Sequence, residues 1–248
     1  MMKKLILSFA ALFAAGALWA QTSVATAAEG AAAAAETSFA DEKSEWLSAF
    51  TALDVRGPML LRLVRIPDTE APRIAYDTKG CTTSKFRAEV KEKVLRISER
   101  ADSHREERTT VVVYYNTLES LFVSDATVRF DATFSALLFD LRMEGQALVE
   151  GDIDIRDLDI DASGKCRATL SGRVDYLTLA LSTGDVSCYG LEVKSLQANV
   201  SGSGKAEFRV TERLVSRTTT GGKVGYKGSP SIVRDASKFM GGGTVRVE

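Results

Sequence analysis

A short phrase recurs along the second half of the chain at an almost constant interval. It consists of a small residue, one variable residue and a small apolar residue, and its copies start at Ala126, Gly145, Gly164, Gly184, Gly204, Gly222 and Gly243. Successive starts are 19, 19, 20, 20, 18 and 21 residues apart. This period is too short for two helices per repeat, and it is typical of a coil built from β-strands.

Each repeat also has the side-chain alternation of short strands. Leu158, Leu177, Leu196 and Leu214 recur at the same interval, and Phe139 precedes them by another 19 residues. Within one repeat, Ile153, Ile155, Leu158 and Ile160 are predicted to face inward, and Asp152, Asp154, Asp159 and Asp161 outward. A turn at Arg156-Asp157 resets the phase between the two runs.

The spacing therefore predicts an all-β fold, a parallel β-helix with about 19–20 residues per rung. At about 3.3 Å per residue, such a rung traces a loop of roughly 60 Å, and rungs stack about 4.8 Å apart. A leucine-rich repeat is disfavoured, because the rungs carry a single leucine column and no asparagine column. Residues 118–248 are predicted to form the β-helix repeats, and residues 46–117 a β-rich N-terminal section that caps the first rung.

The first 25 residues have the layout of a secretory signal peptide. Lys3 and Lys4 precede an apolar run from Leu5 to Trp19, which is too short to span a membrane comfortably. Cleavage after residue 20, 25 or 27 is compatible with the sequence. Residues 26–45 are rich in alanine and are predicted to form a tether. The signal layout predicts an exported protein, and no later stretch is long and apolar enough for a membrane span, so the mature protein is expected to be soluble or held by something else.

Charge and cysteine content narrow the possible partners. The formal net charge is -1, and it becomes -3 when Lys3 and Lys4 leave with the leader (-1 minus 2), so no basic field favours nucleic acid. Three cysteines, Cys81, Cys166 and Cys188, allow at most one internal disulfide. Cys166 occupies the small apolar slot of its phrase, which favours a buried free thiol over a bridge to Cys188 on the neighbouring rung.

Several segments resemble the bacterial family called putative auto-transporter adhesin, head GIN domain. The resemblance covers roughly residues 50–247, and it rests on the segments Phe50–Gly57, Val94–Ile97, Val112–Leu118, Ser201–Gly204, Tyr226–Pro230 and Gly241–Val245. It implies a right-handed parallel β-helix in an exported protein, mostly from Gram-negative gut and environmental species, with no established activity. The serine-glycine phrase of the family is replaced in several rungs, and no terminal membrane barrel follows.

The aspartates between Asp152 and Asp161 are the most suggestive candidates for chemistry. Adding 19 residues places Asp140 beside Asp159, a pair that would suit a cation or acid-base chemistry. The same step places Arg142 beside Asp161, which is an ordinary ion pair between rungs, and the column then continues as Thr178, Gln197 and Val215. A solvated strand face therefore explains the aspartates better.

The remaining motifs favour structure over catalysis. His104 is the only histidine, so a metal site with several histidines is excluded, and the surrounding loop offers no positioned nucleophile. Ser201–Gly204 lacks the Lys-Ser/Thr ending of a phosphate loop and is interpreted as a corner. The aromatic residues Tyr114, Tyr115, Phe122, Phe130, Phe134 and Phe139 either fill the interior, which is favoured, or form an exposed row that stacks on sugars.

These observations lead to three functional hypotheses. The first is an exported, non-enzymatic, adhesin-like β-helix of the periplasm, outer membrane or cell surface, which binds a glycan or an envelope protein and needs no cofactor. The second is a polysaccharide-cleaving β-helix enzyme that uses outward aspartates such as Asp140 and Asp159. The third is a structural module of the envelope. No catalytic, cofactor-binding or metal-binding residue is predicted under the first hypothesis.

Overall fold

Strands make up 70% of the structure. The computed structural model describes residues 43–79, 85–100, 107–237 and 241–247, which belong to one unit, Ser38–Glu248. This part of the chain contains no α-helix. Its strands are β1 (Lys43–Trp46), β2 (Ala52–Arg56), β3 (Met59–Arg65), β4 (Arg73–Asp77), β5 (Phe86–Lys91), β6 (Val94–Glu99), β7 (Thr109–Tyr115), β8 (Ser120–Ser124), β9 (Thr127–Phe130), β10 (Phe134–Glu144), β11 (Leu148–Ala162), β12 (Arg167–Leu181), β13 (Asp185–Val200), β14 (Lys205–Thr218), β15 (Lys223–Lys227), β16 (Ile232–Asp235) and β17 (Gly243–Arg246).

The C-terminal half is the predicted coil. Strands β10 to β14 pair in parallel with their neighbours in sequence order, and Phe139, Leu158, Leu177, Leu196 and Leu214 lie in register across the four ladders. Each of these side chains is at most 2% exposed, because each is covered by the equivalent residues of the neighbouring rungs. The predicted fold class, an all-β right-handed parallel β-helix, is confirmed.

The long strands bend where the sequence predicts a change of phase. In β11, buried Ile155 and buried Leu158 are separated by Arg156 and Asp157, both of which are exposed. Two consecutive outward residues cannot occur in a flat strand, since its side chains alternate between faces. The pair therefore marks a corner, and the following rungs repeat it at the same place.

The N-terminal section departs from the predicted cap, because it supplies two further rungs in an interleaved order. Strand β2 pairs in parallel with both β6 and β8, so that Leu53 lies between Leu95 and Leu121. Strand β3 likewise lies between β7 and β9. The rung formed by β2 and β3 is therefore inserted between one rung that precedes it in space, β6–β7, and one that follows it, β8–β9.

Antiparallel strands close the N-terminal end of the coil. Strand β4 is antiparallel to β7, β5 is antiparallel to β6, and β1 is antiparallel to β4. Only these three strands act as the cap that we predicted for the whole section. Lys43–Glu45, the last residues of the predicted tether, belong to β1 and are part of the sheet. The predicted signal peptide and residues 26–42 of the tether lie outside the described residues.

At the C-terminal end of the coil, the interior contains polar side chains. Strand β16 pairs with β14 and β17 pairs with β15. Here the interior contains the fully buried hydroxyls of Ser216 and Thr218, which are bonded to Thr244 and Ser237 at 2.8 and 2.7 Å. Buried hydroxyls need such partners, and a hydrated end can supply more of them than an apolar core can.

The recurring glycines and the cysteines follow the sequence interpretation in most rungs. Gly164 has a φ of +91°, and a Cβ added at Gly222 would lie 2.5 Å from the carbonyl oxygen of Val200. Gly243 shows neither a positive φ nor a close neighbour, so its rung departs from the pattern. Cys166 and Cys188 are buried and free, which confirms the predicted free thiol at Cys166. Cys81 lies outside the described residues.

Candidate functional site

A cleft lies beside the first residues of β10. Phe134–Ala136 pair with Ile153–Ile155 of the next rung, whereas β10 pairs with β8 only from Asp140 to Glu144. Within the described ladders, the first residues of β10 thus have a strand partner on one side only. The open side faces a cavity of about 1300 Å³. An unpaired strand edge beside a cavity is a surface that can accept a partner.

Two adjacent leucines form the exposed apolar wall of this cleft. Leu137 is 73% exposed and Leu138 is 67% exposed. Charged groups of the following rungs surround them, and the segment 115–119 forms the opposite side. The cleft is lined by Arg65, Tyr115, Asn116, Thr117, Leu118, Glu119, Phe134, Ser135, Ala136, Leu137, Leu138, Phe139, Asp140, Asp154, Ile155, Arg156, Asp157, Asp159, Arg173, Asp175 and Lys194.

Buried aromatic rings support the cleft from below. The ring of Phe134 lies 4.8 Å from that of Phe130 and 4.6 Å from that of Phe139, and Tyr115 packs at 6.2 Å. Burial raises the pKa of the Tyr115 hydroxyl to about 12. These four residues are at most 6% exposed, which agrees with the interior role that the sequence favoured.

The other two aromatic residues of the predicted group are half-buried. Phe122 lies under the guanidinium of Arg56 at 4.7 Å, and Tyr114 lies under that of Arg73 at 4.1 Å. A cation over the ring face covers the surface on which a sugar would stack. An exposed row of aromatic residues is therefore not formed by this group.

The structure confirms the predicted register of the aspartates. Asp140 pairs with Asp159 and Arg142 with Asp161, and the column of Asp159 continues through Thr178 and Gln197 to Val215. Partial burial raises the pKa of Asp159, and the nearby charges of Asp140, Asp161 and Asp157 raise it further, against the opposing effect of Arg142. Among the described residues, no group of three or more His, Cys, Asp or Glu side chains could hold a metal ion.

Replacement of Asp159 by asparagine is expected to stabilise the protein at neutral pH. A carboxyl whose pKa is higher in the folded state binds protons more tightly when folded, so stability falls as pH rises above the unfolded pKa of about 3.9. Asparagine does not titrate, so the stability of the variant does not fall with pH for this reason. Its advantage in urea denaturation should therefore be larger at about pH 7 than at about pH 3.5. Asp140→Asn should lower the pKa of Asp159 measured by NMR. An unchanged pKa would contradict the conclusion that the charge of Asp140 raises the pKa of Asp159.

Four other charged groups of the cleft form two ion pairs. Asp175 accepts a hydrogen bond from Lys194 at 2.7 Å, which lowers the pKa of Asp175 and raises that of Lys194. Asp154 lies 3.3 Å from Arg173 on the neighbouring rung. Such exposed pairs are solvated and offer hydrogen bonds and charge to a bound molecule. His104, the only histidine in the sequence, lies outside the described residues.

The cleft continues into a corner ridge, which runs along the coil where each rung turns. The ridge consists of two consecutive residues from each of six rungs: Leu137–Leu138, Arg156–Asp157, Asp175–Tyr176, Lys194–Ser195, Glu212–Arg213 and Ser231–Ile232. All twelve residues are exposed or half-buried.

The period of the sequence contains a signal for this ridge. Leu137 and Leu138 lie 19 residues before Arg156 and Asp157, the pair that was predicted to reset the phase. The period therefore places both leucines outward, although two leucines within an apolar strand suggest burial, and neither was predicted as a site residue. Tyr176, which is 55% exposed, was missed for the same reason.

The strand ladders and the cavity place the protein among the parallel β-helices and give it a lateral cleft. The chain belongs to the family described as "Putative auto-transporter adhesin, head GIN domain", whose sequence pattern matches residues 49–230. No curated protein matches the chain significantly. No helix among the described residues is long and apolar enough to cross a membrane.

Solved structures from Bacteroides and Parabacteroides species share the fold. A putative adhesin from Bacteroides fragilis is 16% identical, with a TM-score of 0.74 over 84% of this chain and 96% of that chain. A putative lipid binding protein from Parabacteroides distasonis is 14% identical, with a TM-score of 0.65 over the same shares. A putative adhesin from the same species is 19% identical, with a TM-score of 0.61 over 83% of this chain and 95% of that chain. At these identities the likeness concerns the fold.

Proposed function

We propose that the protein is an exported, non-enzymatic, adhesin-like module that binds a glycan or protein of the cell envelope or surface through the cleft. The observation that carries this proposal is the exposure of Leu137 and Leu138, 73% and 67%, beside an unpaired strand edge. Adjacent exposed leucines at the wall of a cavity are typical of a surface that is covered by a partner. The family, whose description is that of an adhesin, supports the same class of function.

The acidic groups of the cleft support binding more than catalysis. Asp154 and Asp175 are engaged by Arg173 and Lys194, so they are suited to fix the orientation of a bound molecule. Asp140 and Asp159, the pair on which the enzyme hypothesis rests, lie in register, but neither the family nor the similar structures support that hypothesis. Their role in the proposed function is to carry charge at the cleft margin.

Leu137→Asp with Leu138→Asp is expected to weaken binding at least about tenfold, since both changes place charge where a partner would bury apolar surface. The full chain is tested on a glycan array and on outer-membrane vesicles of a Gram-negative bacterium. Leu60→Asp is the matched control, because Leu60 is 40% exposed on β3 and does not line the cleft. Equal binding by the cleft variant and the control would contradict the proposal.

A polysaccharide-degradation screen separates the second hypothesis from the first. Binding without released sugar supports the binding module. Released sugar that disappears in Asp140→Asn and Asp159→Asn would instead favour the enzyme, since glycoside cleavage needs two carboxyl groups. Cell fractionation of the native host, with detection in the periplasm, the outer membrane or the medium, tests export.

A further inference from the structure

We propose that the corner ridge is a self-complementary dimer interface, on which a second copy of this chain lies antiparallel. The inference rests on the proposed function, since it takes the cleft and the ridge to be a docking surface, and it names one protein partner for them. It is carried by the order of residue types along the ridge. Read from its two ends, the outer line of the ridge shows an apolar residue, then a charged residue, then a polar residue, and the two charged residues have opposite signs.

The outer line of the ridge consists of Leu138, Asp157, Tyr176, Ser195, Arg213 and Ile232, each in register with the next. A twofold axis between Tyr176 and Ser195 places the first rung opposite the last rung of the second copy. Leu138 then meets Ile232 of the second copy, and Asp157 meets Arg213 of the second copy. Tyr176 meets Ser195. An apolar pair, an ion pair and a hydrogen-bonding pair are thus each formed twice.

The inner line matches in two of its three contacts, and the third places Leu137 opposite Ser231 of the second copy. It consists of Leu137, Arg156, Asp175, Lys194, Glu212 and Ser231. The same axis places Arg156 opposite Glu212 of the second copy, and Asp175 opposite Lys194 of the second copy. Because Asp175 and Lys194 are already bonded at 2.7 Å within one chain, the centre of the interface becomes a four-membered network of alternating charge.

The antiparallel arrangement brings more opposite charges together than the parallel one. A parallel second copy, related by a twofold axis along the coil, would place the outer line opposite the inner line, so that Asp157 would meet Arg156 and Arg213 would meet Glu212. Asp175 and Lys194 would then face Tyr176 and Ser195, and their charges would gain no opposite partner in the second copy. The twofold arrangement is isologous, so it closes at two copies. It also matches the limits of the ridge, which starts at the cleft and ends at β16, the last strand of this line.

The exposed apolar residues support the same interface. Leu137, Leu138, Tyr176 and Ile232 are 73%, 67%, 55% and 46% exposed, and all four lie on the ridge. Association would place Ile232 of each copy at the mouth of the other copy's cleft. Six rungs at about 4.8 Å give a contact only about 24 Å long, and small interfaces are typical of transient complexes. We therefore expect a dimer that depends on protein concentration.

Charge reversal tests the pairing directly by sedimentation velocity over a concentration series. Asp157→Arg and Arg213→Asp are each expected to raise the dimer dissociation constant at least about tenfold, since each places like charges together. The double variant Asp157→Arg with Arg213→Asp restores opposite charges at both contacts and should restore the dimer. If Asp157 and Arg213 contributed only to the folding of one chain, the double variant would not restore the dimer.

Matched controls come from the same two strands. Asp161→Arg and Arg217→Asp make the same charge changes on β11 and β14, at exposed positions away from the ridge, and should leave the dimer unchanged. A wild-type chain that stays monomeric across the series overturns the inference. So does a dimer that persists in both single ridge variants, or one that the double variant fails to restore.

Cross-linking tests the antiparallel register independently. Leu138 and Ile232 are five rung spacings apart in one chain, about 24 Å, so they cannot form a disulfide within it. In a Cys81→Ser background, Leu138→Cys with Ile232→Cys should give a covalent dimer under mild oxidation. Leu138→Cys alone should give none, because the two copies of this residue lie at opposite ends of the interface. Equal cross-linking of the single variant overturns the register.

The failure of this inference can be distinguished from the failure of the proposed function. Arg213→Asp removes the dimer contact without altering a residue that lines the cleft. If the wild-type chain is monomeric and still binds glycans or vesicles through Leu137 and Leu138, only the dimer is excluded. If it dimerises and binds neither probe, the ridge stands and the proposed partner class is wrong.

Discussion

Gly172→Ala is expected to lower the free energy of unfolding by about 3 kcal/mol or more, the range of severe single substitutions. Gly172 has a φ of +107°, a backbone conformation that residues with a Cβ rarely adopt. An added Cβ would lie 2.1 Å from the carbonyl oxygen of Ile153 on the preceding rung. That oxygen belongs to backbone that also pairs with β10, so it cannot move without disturbing a further rung.

The measurement is urea denaturation followed by circular dichroism, and Gly243→Ala is the control. Gly243 has no positive φ, and nothing lies within 4 Å of the position that its Cβ would take. The control should change stability by less than about 1 kcal/mol. If both variants unfold at the same urea concentration, then the corner at Gly172 does not depend on the absence of a side chain.

Deletion of residues 43–66 is expected to abolish the cooperative folding of the whole N-terminal section. These residues include β2 and β3, which lie between β6–β7 on one side and β8–β9 on the other. Their loss opens a gap inside the coil and exposes Leu95 and Leu121, both at most 1% exposed in the intact chain. Rungs of a solenoid are stable only against neighbours, so both flanking rungs lose their contacts.

Hydrogen exchange provides the test, since it reports protection strand by strand. Amides of β6 to β9 should exchange rapidly in the shortened chain, whereas those of β12 to β14 should stay protected. Removal of residues 231–248 is the comparison, because β16 and β17 each pair with one preceding strand only. That change should affect β14 and β15 alone. Retained protection of β6 to β9 after the first deletion would contradict the interleaved order.

Much of the coil followed from local pattern. The 19-residue period predicted the parallel ladders, and the column from Phe139 to Leu214 lies in the predicted register. The pairs Asp140–Asp159 and Arg142–Asp161 were placed correctly for the same reason. In a parallel in-register coil, residues one period apart in the sequence become neighbours on adjacent rungs, because the rungs contribute nearly the same number of residues.

The interleaved rung could not be obtained in this way. Residues 52–65 carry no copy of the phrase, and their partners lie 42 to 50 residues later on one side and 67 to 68 residues later on the other. Alternation of apolar residues identifies a strand but does not specify its neighbours, since any buried strand of similar length fits the same pattern. Their place between β6–β7 and β8–β9 is decided by which arrangement buries all three rungs.

The class of fold, the rung length, the inward column and the outward aspartates could be predicted from the sequence alone, because they depend on periodicity and side-chain alternation. The order of the N-terminal rungs, the cleft beside Phe134–Ala136, and the exposure of Leu137 and Leu138 depend on how the rungs pack together. A cleft exists where a neighbouring segment is missing. A local sequence pattern does not specify which neighbouring segment is missing, so the candidate site can be located only in the folded structure.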